Sequence, residues 1–279
     1  MTIATLADVM QPALRGGYAV PGLVCLGWED TRAYVMAAQA ECAPVILQAG
    51  PGCRAHTPLP VLAAMFRHLA ASVDVPVVVH LDHGYTLDEC KAALDAGFTS
   101  VMFDGSKLPL DENIAQTAAV VALADAAGAS CEGEIGYVGY AGGAGSAGTD
   151  PGQAARFAQE TGVDAMAISV GNVHLQQGPG TGLDLARIRA IEALTDAPLV
   201  IHGGSGVPRG QRAELAVHTR ICKFNIGTEL RMVFGTALRF AVNIDPSRFD
   251  RLAILQDTHE PVFEAARTIF LGLGASGRS

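Results

Sequence analysis

The regular alternation of short apolar runs with helical stretches is the feature that most restricts how this 279-residue sequence can fold. Runs of strand length predict β-strands at residues 18–26, 45–49, 75–79, 99–103, 130–134, 165–170, 199–201 and 221–225. Helices are predicted at residues 29–41, 59–72, 86–96, 110–127, 184–194, 208–217 and 229–242, with one opened by Thr149-Asp150-Pro151 and a last one near 261–271. Eight strand–helix units in succession, with no linker between halves, predict an α/β fold: a (β/α)8 TIM barrel forming one domain over residues 1–279.

The composition agrees with a helix-wrapped parallel sheet and argues against several classes of partner. The net charge is −9 and the 19 basic residues form no cluster, so we expect no nucleic-acid partner. No apolar run approaches the ~20 residues of a membrane span, and residues 1–17 lack the pattern of a secretory signal. The six cysteines are scattered without a CxxC pair, as expected for reduced thiols. We therefore expect a cytoplasmic protein with a small-molecule partner and no membrane association.

Polar side chains that carry chemistry follow the ends of the predicted strands. They are His83 after the third strand, Asp104 after the fourth, Glu132 and Glu134 at the fifth, His174 after the sixth, His202 after the seventh and Asn225 at the eighth. All strand carboxyl ends of a barrel open onto one face, so these residues are expected to converge. Three imidazoles with oxygen ligands nearby suit Zn²⁺ with one coordination position left open, although the ligand types also permit Co²⁺ or Fe²⁺.

The stretch Val79-His80-Leu81-Asp82-His83-Gly84 places two imidazoles and a carboxylate within four residues. In an extended strand His80 and Asp82 point to the same side. We expect the chain to turn sharply at Gly84, so that His83 faces the cavity at the end of the strand. Taken alone, the stretch is equally compatible with core histidines held by backbone hydrogen bonds.

Two glycine-rich segments after the last two predicted strands indicate a phosphate site. They are His202-Gly203-Gly204-Ser205-Gly206 and Asn225-Ile226-Gly227-Thr228. Such segments supply backbone N–H groups, small hydroxyls and a helix N-terminus, which together hold a phosphate. Barrel enzymes often place a phosphate after strands seven and eight. In the alternative interpretation, the glycines only allow tight turns.

Motifs in order along nearly the whole chain resemble those of the class II, metal-dependent ketose-bisphosphate aldolases, which include fructose- and tagatose-bisphosphate aldolases. They are Leu81-Asp82-His83, Ser100-Val101-Met102-Phe103-Asp104-Gly105-Ser106, Glu132-Gly133-Glu134-Ile135-Gly136, Thr149-Asp150-Pro151, Gly171-Asn172-Val173-His174, the segment from His202 to Gly206, and Lys223-Phe224-Asn225-Ile226-Gly227-Thr228. The resemblance implies a homodimer or homotetramer that reversibly cleaves a phosphorylated sugar, a ketose phosphate, into dihydroxyacetone phosphate and an aldehyde. Breaking C3–C4 leaves an enediolate, whose charge a divalent cation stabilises.

The resemblance also implies a role for each residue of the expected site. The expected ligands of the catalytic Zn²⁺ are His83, His174 and His202, and a second or alternative metal site is expected at Asp104 and Glu134. The expected acid/base for the C4 hydroxyl is Asp82, and the expected phosphate contacts are Ser205, Asn225, Thr228 and the backbone of Gly203.

The sequence departs from the family pattern where the substrate is handled. The loop Gly139-Tyr140-Ala141-Gly142-Gly143-Ala144-Gly145-Ser146 is flexible enough for a lid but has no acidic residue before Asp150, whereas the family carries a carboxylate there that moves the C3 proton. Leu175 replaces a glycine, Gln176-Gln177-Gly178-Pro179 replaces a Tyr/Lys stretch with a basic phosphate contact, and an asparagine is replaced around Val24-Cys25. We therefore predict that the substrate is not ordinary fructose 1,6-bisphosphate and carries one phosphate, or another anion in place of the second.

Two other functions remain open from the sequence. Lys223 alternates with Phe224 to face the same side as Asn225, so a Schiff-base aldolase using Lys223 is possible. A sugar-phosphate or metal-binding protein that has lost turnover is the other, because the loop lacks its acid. Arg54, Arg248 and Arg251 are candidate contacts for a second anion.

Overall fold

Eight parallel strands close into a barrel in the computed structural model, which describes residues 2–178, 180 and 182–279. The strands are β1 (Ile3–Ala4), β2 (Val20–Val24), β3 (Val45–Ala49), β4 (Val77–Gly84), β5 (Ser100–Phe103), β6 (Ser130–Ile135), β7 (Ala165–Ile168), β8 (Leu199–Ile201) and β9 (Ile221–Ile226). Each of β2 to β9 pairs with its neighbours in chain order, and β9 pairs with β2. The barrel predicted from the sequence is confirmed, with β2 to β9 as its eight strands.

Helices follow the strands and cover the outside of the barrel. They are α1 (Leu6–Gly16), α2 (Trp28–Ala40), α3 (Pro51–His56), α4 (Leu59–Ala70), α5 (Leu87–Ala96), α6 (Leu110–Ala126), α7 (Pro151–Thr161), α8 (Leu185–Glu192), α9 (Arg209–His218), α10 (Thr228–Asn243), α11 (Arg251–Gln256) and α12 (His259–Gly272). The predicted start signal of α7 is confirmed, because the Asp150 carboxylate accepts the N–H of Gln153 and Pro151 is the first helical residue. Within the described residues, no helix has the length and apolarity needed to cross a bilayer.

The first helix and first strand were not predicted. Thr5 and Asp8 form a reciprocal cap at the start of α1, which packs against β2, β6, β7 and β9. The Ala7 N–H donates to the hydroxyl of Ser130 (3.0 Å), the first residue of β6. Helix α1 therefore lies at the amino ends of the strands, away from the predicted site.

Strand β4 extends further than expected and runs through the predicted site residues. The expected turn at Gly84 is wrong, because Gly84 is the last residue of the strand. It is packed so closely that an added Cβ would lie 2.8 Å from Cys90 Sγ. The register with β5 instead shifts between Leu81 and Gly84, and His83 adopts a φ of 53°, which is rare for a residue other than glycine. This bulge, and not a glycine turn, orients the Asp82 and His83 side chains.

Candidate active site

Three histidines meet at the carboxyl end of the barrel: His83 at the end of β4, His174 in the loop after β7 and His202 directly after β8. The ring centroids of His83 and His202 are 4.8 Å apart, and those of His83 and His174 are 5.3 Å apart. One nitrogen of each ring can be chosen so that all three lie within 4.8 Å of one another. Asp104, Glu134 and His83 form a second group with the same spacing. The predicted convergence of these five residues is therefore present.

Glu132, on β6, orients the imidazole of His202. The His202 Nε2–H donates to Glu132 Oε1 (3.0 Å), which leaves Nδ1 with its lone pair. His202 Nδ1 lies 3.5 Å from Glu134 Oε2, and both atoms are buried without a hydrogen-bond partner among the described residues. Buried polar atoms without partners are costly, so this pair fits a cation that the imidazole and the carboxylate would both contact.

Three carboxylates lie near His83 and favour its protonated, positively charged form. Its Nδ1 lies 2.8 Å from Asp104 Oδ2, and its Nε2 lies 4.0 Å from Asp82 Oδ1. Burial alone would lower the pKa of His83, but Asp82, Asp104 and Glu134 raise it to about 9. Burial and the charge of His83 lower the pKa of His174 to about 4. Burial, followed by the charge of Asp104, holds the pKa of Glu134 well above its usual range.

A lysine–glutamate pair lies beneath the histidine cluster. Lys223 and Glu132 are fully buried, and the Lys223 ammonium is in contact with Glu132 Oε2. The ammonium also lies 3.4 Å from His80 Nε2, while His80 Nδ1 is 2.8 Å from the Ser100 hydroxyl. His80 therefore packs below the cluster. Lys223 faces inward, as expected, but it does not line the cavity where a substrate carbonyl would lie.

Two amides hold the Asp82 carboxylate, and sequence reasoning missed one of them. Gln48 Nε2 donates to Asp82 Oδ1 (3.2 Å), and Asn225 Nδ2 donates to the same oxygen (3.3 Å). A Cβ on Gly22 would lie 2.6 Å from Gln48 Oε1 and 2.9 Å from Asn225 Oδ1, so a larger residue there would displace these amides. Asn225 was expected to bind phosphate, but its amide nitrogen is directed at Asp82. Asn225 also lines the cavity, and a phosphate contact from it stays a prediction.

The predicted phosphate segments meet at the N-terminus of α10. Gly203 has a φ of 62°, and a Cβ there would lie 2.2 Å from the Val173 carbonyl oxygen. The Ser205 hydroxyl accepts the N–H groups of Gly227 (3.3 Å) and Glu229 (3.2 Å), which ties the two segments together. Gly203, Ser205 and Thr228 line the same cavity as Asp82.

A cavity of about 270 Å³ opens above the histidines. Its lining residues come from loops on both sides of the cluster: Val24, Gly50, Pro51, Gly52, Cys53, Asp82, His83, Tyr85, Tyr140, His174, Leu175, Gly203, Ser205, Asn225, Gly227, Thr228 and Arg231. The glycine-rich loop after β6 lies across His174, because the His174 N–H donates to Gly139 O (2.8 Å) and the Ala141 N–H donates to His174 O (2.9 Å). The ring of Tyr140 stacks on His174 with centroids 4.8 Å apart, so this loop presents a phenol and no carboxylate.

A family model described as class II fructose-bisphosphate aldolase matches residues 4–278, and the chain belongs to this family. Class II aldolases are metal-dependent lyases that catalyse aldol cleavage, and the histidine cluster provides a possible metal site. The chain is 34% identical to a fructose-bisphosphate aldolase of Geobacillus stearothermophilus, over 100% of its own length and 99% of the relative. It is also 34% identical to a 6-phospho-5-dehydro-2-deoxy-D-gluconate aldolase of Bacillus licheniformis, covering 100% and 97%.

A solved structure has the same architecture. The YdjI aldolase of Escherichia coli K12 superposes with a TM-score of 0.87 at 28% sequence identity, and the match covers 99% of each chain. The barrel and the lyase class expected from the sequence are thus confirmed, while the relatives differ in the substrates that their names give.

Proposed function

We propose that this aldolase cleaves a ketose 1-phosphate, with a single phosphate, into dihydroxyacetone phosphate and an aldehyde without a phosphate. The distribution of charge around the cavity carries the proposal. Val24, Pro51 and Cys53 line the cavity without contributing a positive charge, and a Cβ on Gly50 would lie 3.3 Å from Asp82 Oδ2. Burial raises the pKa of Cys53 to about 11, so its thiol is neutral at pH 7. Arg231, whose charge acts on the Cys53 thiol, is the only lysine or arginine among the described residues that line the cavity, and one cation suits one phosphate better than two.

Arg54 does not supply a second cation for the cavity. Its guanidinium donates to the carbonyl oxygens of Ala49 (2.7 Å), Asp82 (2.6 Å) and His83 (2.9 Å). It therefore secures the backbone at the end of β4, and it is not among the residues that line the cavity. Arg248 pairs with Asp257, and neither Arg248 nor Arg251 lines the cavity in the described part of the chain.

In the proposed reaction, Asp82 accepts the proton of the substrate C4 hydroxyl as the C3–C4 bond breaks. The C4–O bond becomes the carbonyl of the aldehyde, the C3–C4 electron pair forms a C2–C3 double bond, and the C2 carbonyl electrons move onto its oxygen to give an enediolate. The enediolate then takes up one proton at C3, from solvent or from Asp82, to give dihydroxyacetone phosphate. A Zn²⁺ held by His83, His174 and His202, with Asp104 and Glu134 as alternative ligands, would supply Lewis-acid polarisation. Gln48 and Asn225 keep Asp82 in place, and Gly203, Ser205 and Thr228 would hold the phosphate on C1.

Neither alternative function is favoured by the structure. Lys223 is paired with Glu132 beneath the cluster, so it would have to break a buried ion pair to attack a carbonyl. A binding protein without turnover is supported only by the loop that lacks an acid, and that loop covers His174 with Tyr140.

Paired substrates test the proposal. The rate of dihydroxyacetone phosphate formation is measured for fructose 1-phosphate and fructose 1,6-bisphosphate, and for other ketoses in both forms. We expect kcat/KM to be at least about tenfold higher for the monophosphates, because a second phosphate would lose hydration in a cavity with only one lysine or arginine among its described lining residues. A preference for bisphosphates would refute the single-phosphate assignment.

We also propose the homodimer or homotetramer that the family resemblance implies. Its support is a set of large apolar side chains exposed on or near α10 and α11: Phe240, Ile244, Phe249 and Leu252. Exposed apolar surface of this kind is typical of protein–protein contacts.

A further inference from the structure

The glycine-rich loop after β6 folds into a hydrogen-bonded turn that carries Tyr140. The Tyr140 N–H donates to the Ala144 carbonyl oxygen (3.1 Å), and the Gly143 N–H donates to the Tyr140 carbonyl oxygen (2.9 Å). The Ser146 hydroxyl accepts the Gly139 N–H (2.9 Å) and closes the base of the turn. A Cβ on Gly139 would lie 2.3 Å from the Ala144 carbonyl oxygen, so the two arms meet closely because residue 139 has no side chain. These contacts fix the backbone from which the Tyr140 side chain extends.

Tyr140 lies against the histidine cluster on the side of the predicted phosphate segments. Its ring stacks on that of His174, with centroids 4.8 Å apart and an angle of 26° between the planes. The backbone of His174 adjoins Gly203, since a Cβ on Gly203 would lie 3.1 Å from the His174 nitrogen. Asp82 instead lies beside His83, whose Nε2 is 4.0 Å from Asp82 Oδ1. Tyr140 and Asp82 therefore approach the cluster at two different histidines.

Cleavage of a ketose phosphate needs two proton transfers, one at the C4 hydroxyl and one at C3. Asp82 is assigned to the C4 hydroxyl, and it is the only carboxylic acid in the described part of the cavity lining. The phenols of that lining are Tyr85 and Tyr140. Tyr140 is the nearer of the two to the cluster, because the ring centroid of Tyr85 lies 6.4 Å from that of His83. A phenol has a pKa of about 10, so at pH 7 it carries a proton that it can donate.

We propose that Tyr140 delivers the proton that C3 receives after cleavage; this inference rests on the ketose 1-phosphate function proposed above. The phenol O–H bond breaks, the electron pair of the C2–C3 double bond forms the new C3–H bond, and a pair on the C2 oxygen restores the carbonyl. The phenolate then takes a proton from water, which can reach it because Tyr140 is 37% exposed. Solvent is thus the final source of the C3 proton, and Asp82 returns the C4 proton to solvent separately.

Tyr140→Phe tests the proposal, because it removes the hydroxyl and keeps the ring that stacks on His174. Dihydroxyacetone phosphate is incubated with the metal-loaded enzyme in D₂O, and exchange of its C3 proton is followed by NMR. We expect exchange to slow about 100-fold, the lower end of what a general acid or base contributes. Metal content and the Kd of dihydroxyacetone phosphate should stay within about threefold of the wild type.

A comparison of the two products separates proton transfer from a structural role. In the first turnover of the preferred ketose 1-phosphate by Tyr140→Phe, the aldehyde should appear within about threefold of the wild-type rate. Release of dihydroxyacetone phosphate should be about 100-fold slower, because the enediolate lacks its proton donor. Coupling dehydrogenases follow both products continuously.

Tyr137→Phe is the matched control. Tyr137 lies just before the same turn, and the Lys107 ammonium lies over its ring, 5.1 Å from the centroid. It is not among the described residues that line the cavity. This variant should exchange the C3 proton and cleave the substrate like the wild type.

Unchanged exchange in Tyr140→Phe would overturn the proposal, as would an equal loss in Tyr137→Phe. A parallel loss of exchange, first-turnover cleavage and bound metal would also overturn it, because Tyr140 would then only support His174. If the wild type exchanges the C3 proton but cleaves no ketose phosphate, the proposed substrate is wrong, and the exchange rates still decide the role of Tyr140. If the wild type cleaves the substrate but exchanges no C3 proton, the role of Tyr140 is refuted and the proposed function stands.

Discussion

Replacing Asp82 by asparagine is expected to lower kcat by about 10²- to 10⁴-fold while leaving the bound metal in place. The carboxylate is held by Gln48 and Asn225 and lies 4.0 Å from His83 Nε2, so it is fixed beside the cluster. Asparagine preserves the size of the side chain but cannot accept the C4 hydroxyl proton. Turnover is measured on the preferred ketose phosphate, and metal content by elemental mass spectrometry.

Gln48→Met is the companion to Asp82→Asn. It removes one of the two hydrogen bonds to Asp82 but retains the carboxylate, so we expect a smaller fall in kcat, about tenfold. Near-wild-type turnover in Asp82→Asn, with the metal retained, would show that another group takes the C4 proton. Loss of the metal in Asp82→Asn would instead place Asp82 among the groups that hold the cation.

Lys223→Met is expected to lower the free energy of unfolding by about 3–5 kcal/mol, because it leaves Glu132 buried without its partner. Both side chains are fully buried, and the ammonium contacts Glu132 and lies near His80. Since Glu132 also accepts the Nε2–H of His202, the affinity for Zn²⁺ should fall about 10- to 100-fold. Urea unfolding and a competitive zinc chelator measure the two effects.

The double variant Lys223→Met/Glu132→Gln separates a charge effect from a packing effect. It leaves no unpaired charge, so it should be more stable than Lys223→Met alone. If Lys223→Met unfolds within about 1 kcal/mol of the wild type, the buried pair does not have the role assigned to it here. Borohydride trapping of substrate on Lys223 in the wild type would support the Schiff-base mechanism instead.

The barrel was predictable because each of its eight strands coincides with a short apolar run in the sequence. β3 and β8 have the bounds that their apolar runs predicted, and β5, β6 and β9 differ by one residue. The convergence of His83, His174 and His202 followed from topology alone, since the ends of parallel strands share one face. Helix α1 was missed although Thr5 and Asp8 had the spacing of a cap, because Pro12 interrupts its pattern.

The remaining parts of the site depend on contacts that no local pattern encodes. Glu132 and Lys223 are 91 positions apart, and only the closed barrel makes them neighbours. Gln48 lies within an apolar run, where a buried polar residue has no visible partner. The bulge at His83 arises from the register with β5 and has no signature in the sequence of β4. The place of Arg231 in the cavity lining was not predicted, because an exposed arginine on a helix usually lies in solvent.

Metal reconstitution tests the central claim, that the histidine cluster is the metal centre of an aldolase. The protein is dialysed against a chelator, its residual metal is quantified, and Zn²⁺ is added back while dihydroxyacetone phosphate formation is followed. We predict no cleavage by the metal-free chain and activity that rises in proportion to added Zn²⁺, with a plateau at about one ion per chain. Full cleavage by a chain shown to hold no metal would contradict the account.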